Sequence, residues 1–299
     1  MRRPAGAATV AAVLTTLVLG ACGTADAPPS PAAPRSTPAK PQPTSPRLQP
    51  SVAPTRTVPP RLSAEEQRRL DQRLRDATWA NDVAKAHRLV RRGADVNAKD
   101  DTVQSAYLIT TSEGYLDLLR LTLRNGAQIN DKDSWNGTGL IRAAERGHHG
   151  VVGELLRAGI DRDHVNRIGY QAIHEAVWLG EDTPAYATTL RVLAAGGVQL
   201  DRPSRDEGLT PLQMARTRGY AGLESVLTQV TACERAVDAE ALLLRAAAAG
   251  DADAATCALR SGAEVSARDR SGRTSLQWAI ARGHVDVVDL LVAMGARKA

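Results

Sequence analysis

Phenylalanine is absent from this chain of 299 residues, lysine is scarce beside arginine, and there are only three cysteines and three methionines. Tryptophan and tyrosine make up the whole 3% aromatic share. Apolar packing therefore falls to Leu, Val, Ile and Ala. Chemical signatures are missing as well. No His-Glu-x-x-His, paired Cys-x-x-Cys or Gly-rich phosphate loop occurs, and no serine nucleophile elbow. We accordingly expect no enzyme, no cofactor and no metal. The acidic stretch "NDKDSWNG", Asn130 to Gly137, has a hint of calcium-loop spacing but lacks the later bidentate Glu. A solvated turn in which Asp131 or Asp133 accepts backbone N–H groups is expected there instead.

The sequence pI near 9.4 invites a nucleic-acid reading. Its excess charge, however, sits at one end. Seven basic residues and one acid precede residue 62, leaving 31 and 32 for the remainder. The larger part is nearly neutral and has no basic stripe interleaved with aromatics, so nucleic acid is not an expected partner.

What the chain does contain is repetition. "RRGADVNAKDD" from Arg91 returns as "RNGAQINDKDS" from Arg124 and "RSGAEVSARDR" from Arg260. Gly93, Gly126, Gly159, Gly196, Gly262 and Gly295 step by 33, 33, 37, 66 and 33, the 66 being two periods with one glycine lost. A second ladder, Gly114, Gly147, Gly180, Gly219, Gly250 and Gly283, keeps the same frame, with Asn81 in the first place. A fixed period of this size means a repeat array, here of about seven units. Each unit reads as two short helices. In "TPLQMARTRG", Thr210 suits the N-cap, Pro211 the first helical position and Gly219 the stop. Leu140, Ala143 and Ala144 form one apolar face, and Val151, Val152, Leu155 and Leu156 form the next. Such helices fall below the ~12–15 residues an isolated helix needs in water, so they must stack.

These residues resemble ankyrin repeats, whose pattern is Thr-Pro-Leu-His-x-Ala, then Gly-His, Val-Val, Leu-Leu and Gly-Ala-Asp-Val-Asn. The resemblance covers roughly residues 63–299. It implies an all-α solenoid of about seven helix-turn-helix units with protruding β-turn loops, occupying residues 62–299. It also accounts for His148, His174 and His284 as repeat positions. Two departures stand out. Four extra residues around "EDTPAY" lengthen the inter-helix turn of the fourth unit. After the fifth unit, "TQVTACERAVDAE" replaces the usual finger, a join that bends the array or divides it into two blocks.

The first sixty residues read as delivery. Arg2 and Arg3, then a short apolar run, fit a secretory signal peptide over residues 1–21. "LGAC", Leu19 to Cys22, resembles a bacterial lipobox, which implies cleavage before Cys22 and lipid on its sulfur. Twelve of sixteen prolines lie between Ala27 and Pro60. Residues 22–61 are thus expected to be an extended, disordered tether. The protein is expected outside the cytoplasmic membrane, touching it only through the lipid, as a monomer. In that compartment Cys233 and Cys257 either pair or remain two thiols.

Ankyrin partners usually meet the concave face made by finger tips and the exposed side of each first helix. The resemblance places Trp135, Arg146, Arg167, Tyr170 and Trp178 there, and exposed aromatics and Arg are the usual anchors of interfaces. Trp278 reads as core. The expected function is non-catalytic binding of an envelope or secreted protein. The alternatives are a cell-wall scaffold and, last, an enzyme or small-ligand binder.

Overall fold

A computed structural model of the chain describes residues 62–297. The expected signal peptide, Cys22 and the Pro-rich segment lie outside the described residues. Within them run fourteen helices in seven pairs. The pairs are α1 (Ala64–Trp79) with α2 (Val83–Arg91), α3 (Ala106–Glu113) with α4 (Leu116–Arg124), and α5 (Gly139–Glu145) with α6 (His149–Arg157). They continue as α7 (Ala172–Trp178) with α8 (Pro184–Ala195), α9 (Pro211–Arg218) with α10 (Ala221–Thr231), α11 (Ala239–Ala249) with α12 (Ala252–Arg260), and α13 (Ser275–Arg282) with α14 (Val285–Ala293).

The local signals act as the sequence implies. Thr210 accepts the N–H of Gln213, and the Gln213 side chain accepts the N–H of Thr210 in return. Gly219 ends α9 at φ +70°, a left-handed conformation that costs glycine little. Asn81 holds the equivalent place in the first unit at φ +51°. Asparagine is among the few residues that enter this region readily.

The insertion in the fourth unit is absorbed differently from expectation. Three residues, 146–148, separate α5 from α6, and five, 179–183, separate α7 from α8. The rest goes into the helix, since α8 is twelve residues long where α6 is nine. The positive-φ finger glycine is also Gly197, not Gly196, so the ladder moves one residue at this point.

The join after the fifth unit reverses the array. First helices α1, α3, α5, α7 and α9 stack in a row, each on the next. The row breaks there: α11 packs on α13 and has no comparable contact with α9. The last two units instead lay their second helices on the outer helices of earlier units, α12 on α8 and α14 on α6 and α8. This explains why α8 is buried on nearly every side, from Thr188 to Leu190 and from Val192 to Ala195. One apolar core runs through both blocks, from Tyr107 to Ala293.

Polar groups fix the register of the reversal. The Arg191 guanidinium lies 2.7 Å from the Asp253 carboxylate. Arg260 donates to the carbonyls of Ala194 (2.7 Å) and Val198 (3.1 Å). Arg157 donates to the Ala293 carbonyl. Cys233, just past α10, is joined to Cys257 of α12 by a disulfide with Cα atoms 5.5 Å apart. The bridge closes the one join that has no finger.

Two outcomes test the reversal. Glycine inside a helix destabilises by roughly 1 kcal/mol relative to alanine, so Gly153→Ala should raise the melting temperature if the outer face of α6 were open. A Cβ at Gly153 would instead run into the Ala293 carbonyl, and we expect the melting temperature to fall. The bridge encloses a sequence separation of 24 residues. Replacing both cysteines by serine should cost about 2–4 kcal/mol. Wild type measured in reductant should then unfold at the same urea concentration as that double variant.

Candidate interaction surface

The finger between α4 and α5 is built around one carboxylate. Asp133 accepts the N–H groups of Trp135 and Gly137, both at 2.8 Å, and Lys132 pairs with Thr138 across the turn. Asp133 itself is buried, so the turn is held from inside rather than solvated. Its second oxygen lies 3.4 Å from Arg142 of α5. This brace leaves Trp135 at the tip, 59% exposed on a fixed backbone. The Arg167 N–H of the next finger donates to the Trp135 carbonyl at 3.0 Å, which ties the two tips together.

The brace recurs with altered chemistry. Asn166 stands 33 residues after Asp133, and its Nδ2 donates to Glu175 of α7 at 2.5 Å. In the last finger, Asp269 accepts from Trp278 of α13 at 2.7 Å. All three links join a finger residue to the first helix nine positions later. Where the helix offers a donor, Arg142 or Trp278, the finger supplies Asp. Where the helix offers a carboxyl, Glu175, the finger supplies Asn. Trp278 is therefore not core as expected; it is half-buried, with Arg273 and Arg282 guanidinia 4.9 and 5.1 Å from its ring centroid.

Between the third and fourth units lies a cleft of about 320 Å³. Trp135, Ile141, Ile168 and Leu179 give it apolar walls, and Asp133, Arg142, Glu145, Asn166 and Glu175 give it polar ones. Arg142 is already engaged by Asp133 and by Glu145 at 2.8 Å. Glu175 is only 3% exposed, and its Oε2 has no hydrogen-bond partner. Burial pushes its carboxyl up to about 7, and the nearby Glu145 carboxylate adds to the shift. The Asn166 N–H and the Arg142 guanidinium pull weakly the other way.

The sequence-selected residues do not all meet here. Trp135 and Arg167 share the finger tips, and both are exposed. Arg146 is exposed but turns toward the second unit, 3.2 Å from Glu113. Trp178 is half-buried on the side of the fifth unit, with Arg218 5.8 Å from its ring centroid. Tyr170 is not a surface anchor. It is 2% exposed, its ring stacks on His174 at 6.0 Å and its hydroxyl donates to Glu207. Its place in the finger suggested a tip, but the brace from Asn166 turns it inward. Glu175, the most unusual group in the cleft, escaped sequence reading because it occupies the variable position beside the motif histidine. The available signal was Arg142 at the same place one unit earlier.

The three repeat-position histidines bond to backbone. His148 reaches the Ser112 carbonyl at 3.1 Å, His174 that of Arg202 at 2.9 Å and His284 that of Ala248 at 3.3 Å. No group of three or more His, Cys, Asp or Glu side chains able to hold a metal occurs among the described residues.

With a carboxyl raised in the fold, the sign of the pH effect follows. Between about 4.5 and about 7 the folded chain keeps a proton that the unfolded chain has released, so this group's contribution to stability is lost as pH rises through that window. Glu175→Gln removes the term. Urea midpoints across that range should show the variant gaining on wild type as pH rises, with the difference level above it.

The family model for ankyrin repeats, in three copies, matches residues 104–186 and 222–299, more than half of the chain. Among relatives, the ankyrin repeat protein YahD of Escherichia coli is 31% identical over 140 residues, which is 46% of this chain and 69% of YahD. The transient receptor potential cation channel subfamily A member 1 homolog of Caenorhabditis elegans is 28% identical over 64% of this chain, but over only 16% of its own length. Among solved structures, an ankyrin repeat domain from Acinetobacter baumannii is 43% identical with a TM-score of 0.50, covering 53% of this chain and 80% of that one.

Proposed function

The chain belongs to the ankyrin-repeat family, and on that premise we propose that it is a non-catalytic protein-binding module displayed outside the cytoplasmic membrane on a lipid-anchored, Pro-rich arm. The observation that carries the binding reading is Trp135, a large apolar ring left 59% exposed on a finger whose backbone is fixed by Asp133. Holding an exposed aromatic in place before contact reduces the ordering cost of association. Trp178 and the exposed Arg167 extend the same finger-and-first-helix face. The partner is an envelope or secreted protein, which the module recruits, inhibits or stabilises.

The placement outside the membrane rests on separate support. The basic residues and apolar run before "LGAC" fit export with lipid attachment at Cys22. A disulfide between Cys233 and Cys257 suits an oxidising compartment.

A crosslinking capture from the native envelope tests the reading, with the full chain as bait beside a Trp135→Ala, Trp178→Ala double variant. We expect one protein to be captured by wild type and lost with the variant, whose helical circular dichroism stays unchanged. Equal capture by both baits would remove this face as the docking surface. Retention on purified wall polymer by residues 22–61 alone would favour a wall scaffold.

A further inference from the structure

The cleft beneath Trp135 has a chemistry that aromatic docking alone does not use. Three carboxyl groups, Asp133, Glu145 and Glu175, face one guanidinium, that of Arg142. The guanidinium is held by the first two. Glu175 lines the cleft, with its Oε1 bonded to Asn166 and its Oε2 buried and unpartnered. A buried polar atom without a partner is costly, and no donor or acceptor of the fold reaches this one. Cations on the other helices packed against α7 are engaged elsewhere: Arg191 of α8 with Asp253, Arg216 of α9 with Glu224, and Arg218 of α9 over the Trp178 ring.

We propose that this cleft is a socket for a lysine side chain presented by the protein that docks on the finger-and-first-helix face. The inference rests on the protein-binding reading and names the partner's chemistry. The four methylenes of lysine lie along Trp135, Ile168 and Leu179, and the ammonium meets Glu175 Oε2 at the bottom with Glu145 beside it. The ring of Trp135 adds a face that attracts a cation. Lysine suits the site better than arginine. A guanidinium fork binds both oxygens of a carboxylate in one plane, and here Asn166 already holds one of them. An ammonium is a compact charge with three rotatable donors and needs only the oxygen that is free.

Proton linkage gives the socket a second signature. The groups around Glu175 are Arg142 and Glu145 from α5 and Asp133 and Asn166 from the fingers, and their balance with burial keeps the carboxyl protonated up to about 7. An ammonium favours the ionised form, so binding expels that proton and tightens as pH rises from 6 to 8.

The test is an NMR titration of the full chain followed at the Trp135 indole N–H. The probes are acetyl-Gly-Lys-Gly-amide, its norleucine and Nε-acetyl-lysine counterparts, and n-butylamine. The lysine peptide is expected to bind saturably and more tightly at pH 8 than at pH 6, with norleucine and acetyl-lysine at least tenfold weaker. Glu175→Gln should weaken the lysine peptide about tenfold or more, equivalent to ~1.4 kcal/mol. Glu145→Gln, at the partly exposed mouth, should weaken it in the same direction and guards against misfolding of the first variant. Equal binding of the norleucine peptide, or an affinity indifferent to both substitutions, overturns the socket. Binding of n-butylamine as tight as that of the peptide overturns the protein source and makes the cleft a small-amine site. Failure here, with Trp135-dependent capture intact, removes only the lysine; loss of that capture with the peptide still binding removes the docking reading instead.

Discussion

A nine-residue helix such as α6 carries one apolar stripe and has no surface of its own on which to bury it. Each helix pair therefore needs the next, and the energy of the fold resides in the interfaces between units. The fingers, caps and braces set the spacing at which those interfaces form. In this chain the constraint applies twice. First helices stack in a row from α1 to α9, and then the outer faces of α6 and α8 are themselves covered, by α14 and α12. The second covering requires close backbone approach, which Gly153 permits and which Arg157 and Arg260 mark by reaching carbonyls across the interface.

The finger brace links this architecture to function. A finger residue bonded to the first helix nine positions later joins loop to scaffold in three units, and each version alters the surface beside it. With Asp133 and Arg142 the pair is charge-balanced and supports an exposed ring. With Asp269 the partner is Trp278, whose ring lies against two guanidinia. With Asn166 and Glu175 only half of a carboxylate is satisfied. The same bond that stiffens the scaffold thus leaves a different chemical group available at each unit, so a uniform repeat presents a non-uniform face.

Much of the architecture is legible in the sequence, for a physical reason. Turns that demand left-handed backbone admit few residues, so Gly114, Gly219, Gly250 and Gly283 mark the period regardless of what binds to the array. The replaced finger after α10 announces that something changes there. It does not say that the chain doubles back, because that depends on which outer faces happen to be small and apolar, a property shared by residues 60 to 140 positions apart. The site is less legible. Trp135 and Arg167 lie where a finger tip must be exposed. Tyr170 belongs to a similar finger and Trp278 to a first helix, but side-chain bonds across nine residues or more decide which way each turns. Glu175 has an ordinary sequence context, and its character comes first from burial between two neighbouring units and then from charges there that do not cancel.

The reversal has a consequence in time. The outer faces of α6 and α8 are made well before the helices that cover them, since α8 ends at Ala195 and α14 at Ala293. At about 5–20 residues per second, those faces wait on the order of ten seconds for their covering. During that interval the third and fourth units present a sticky, half-finished surface, and any holding factor the nascent chain meets would find its grip there.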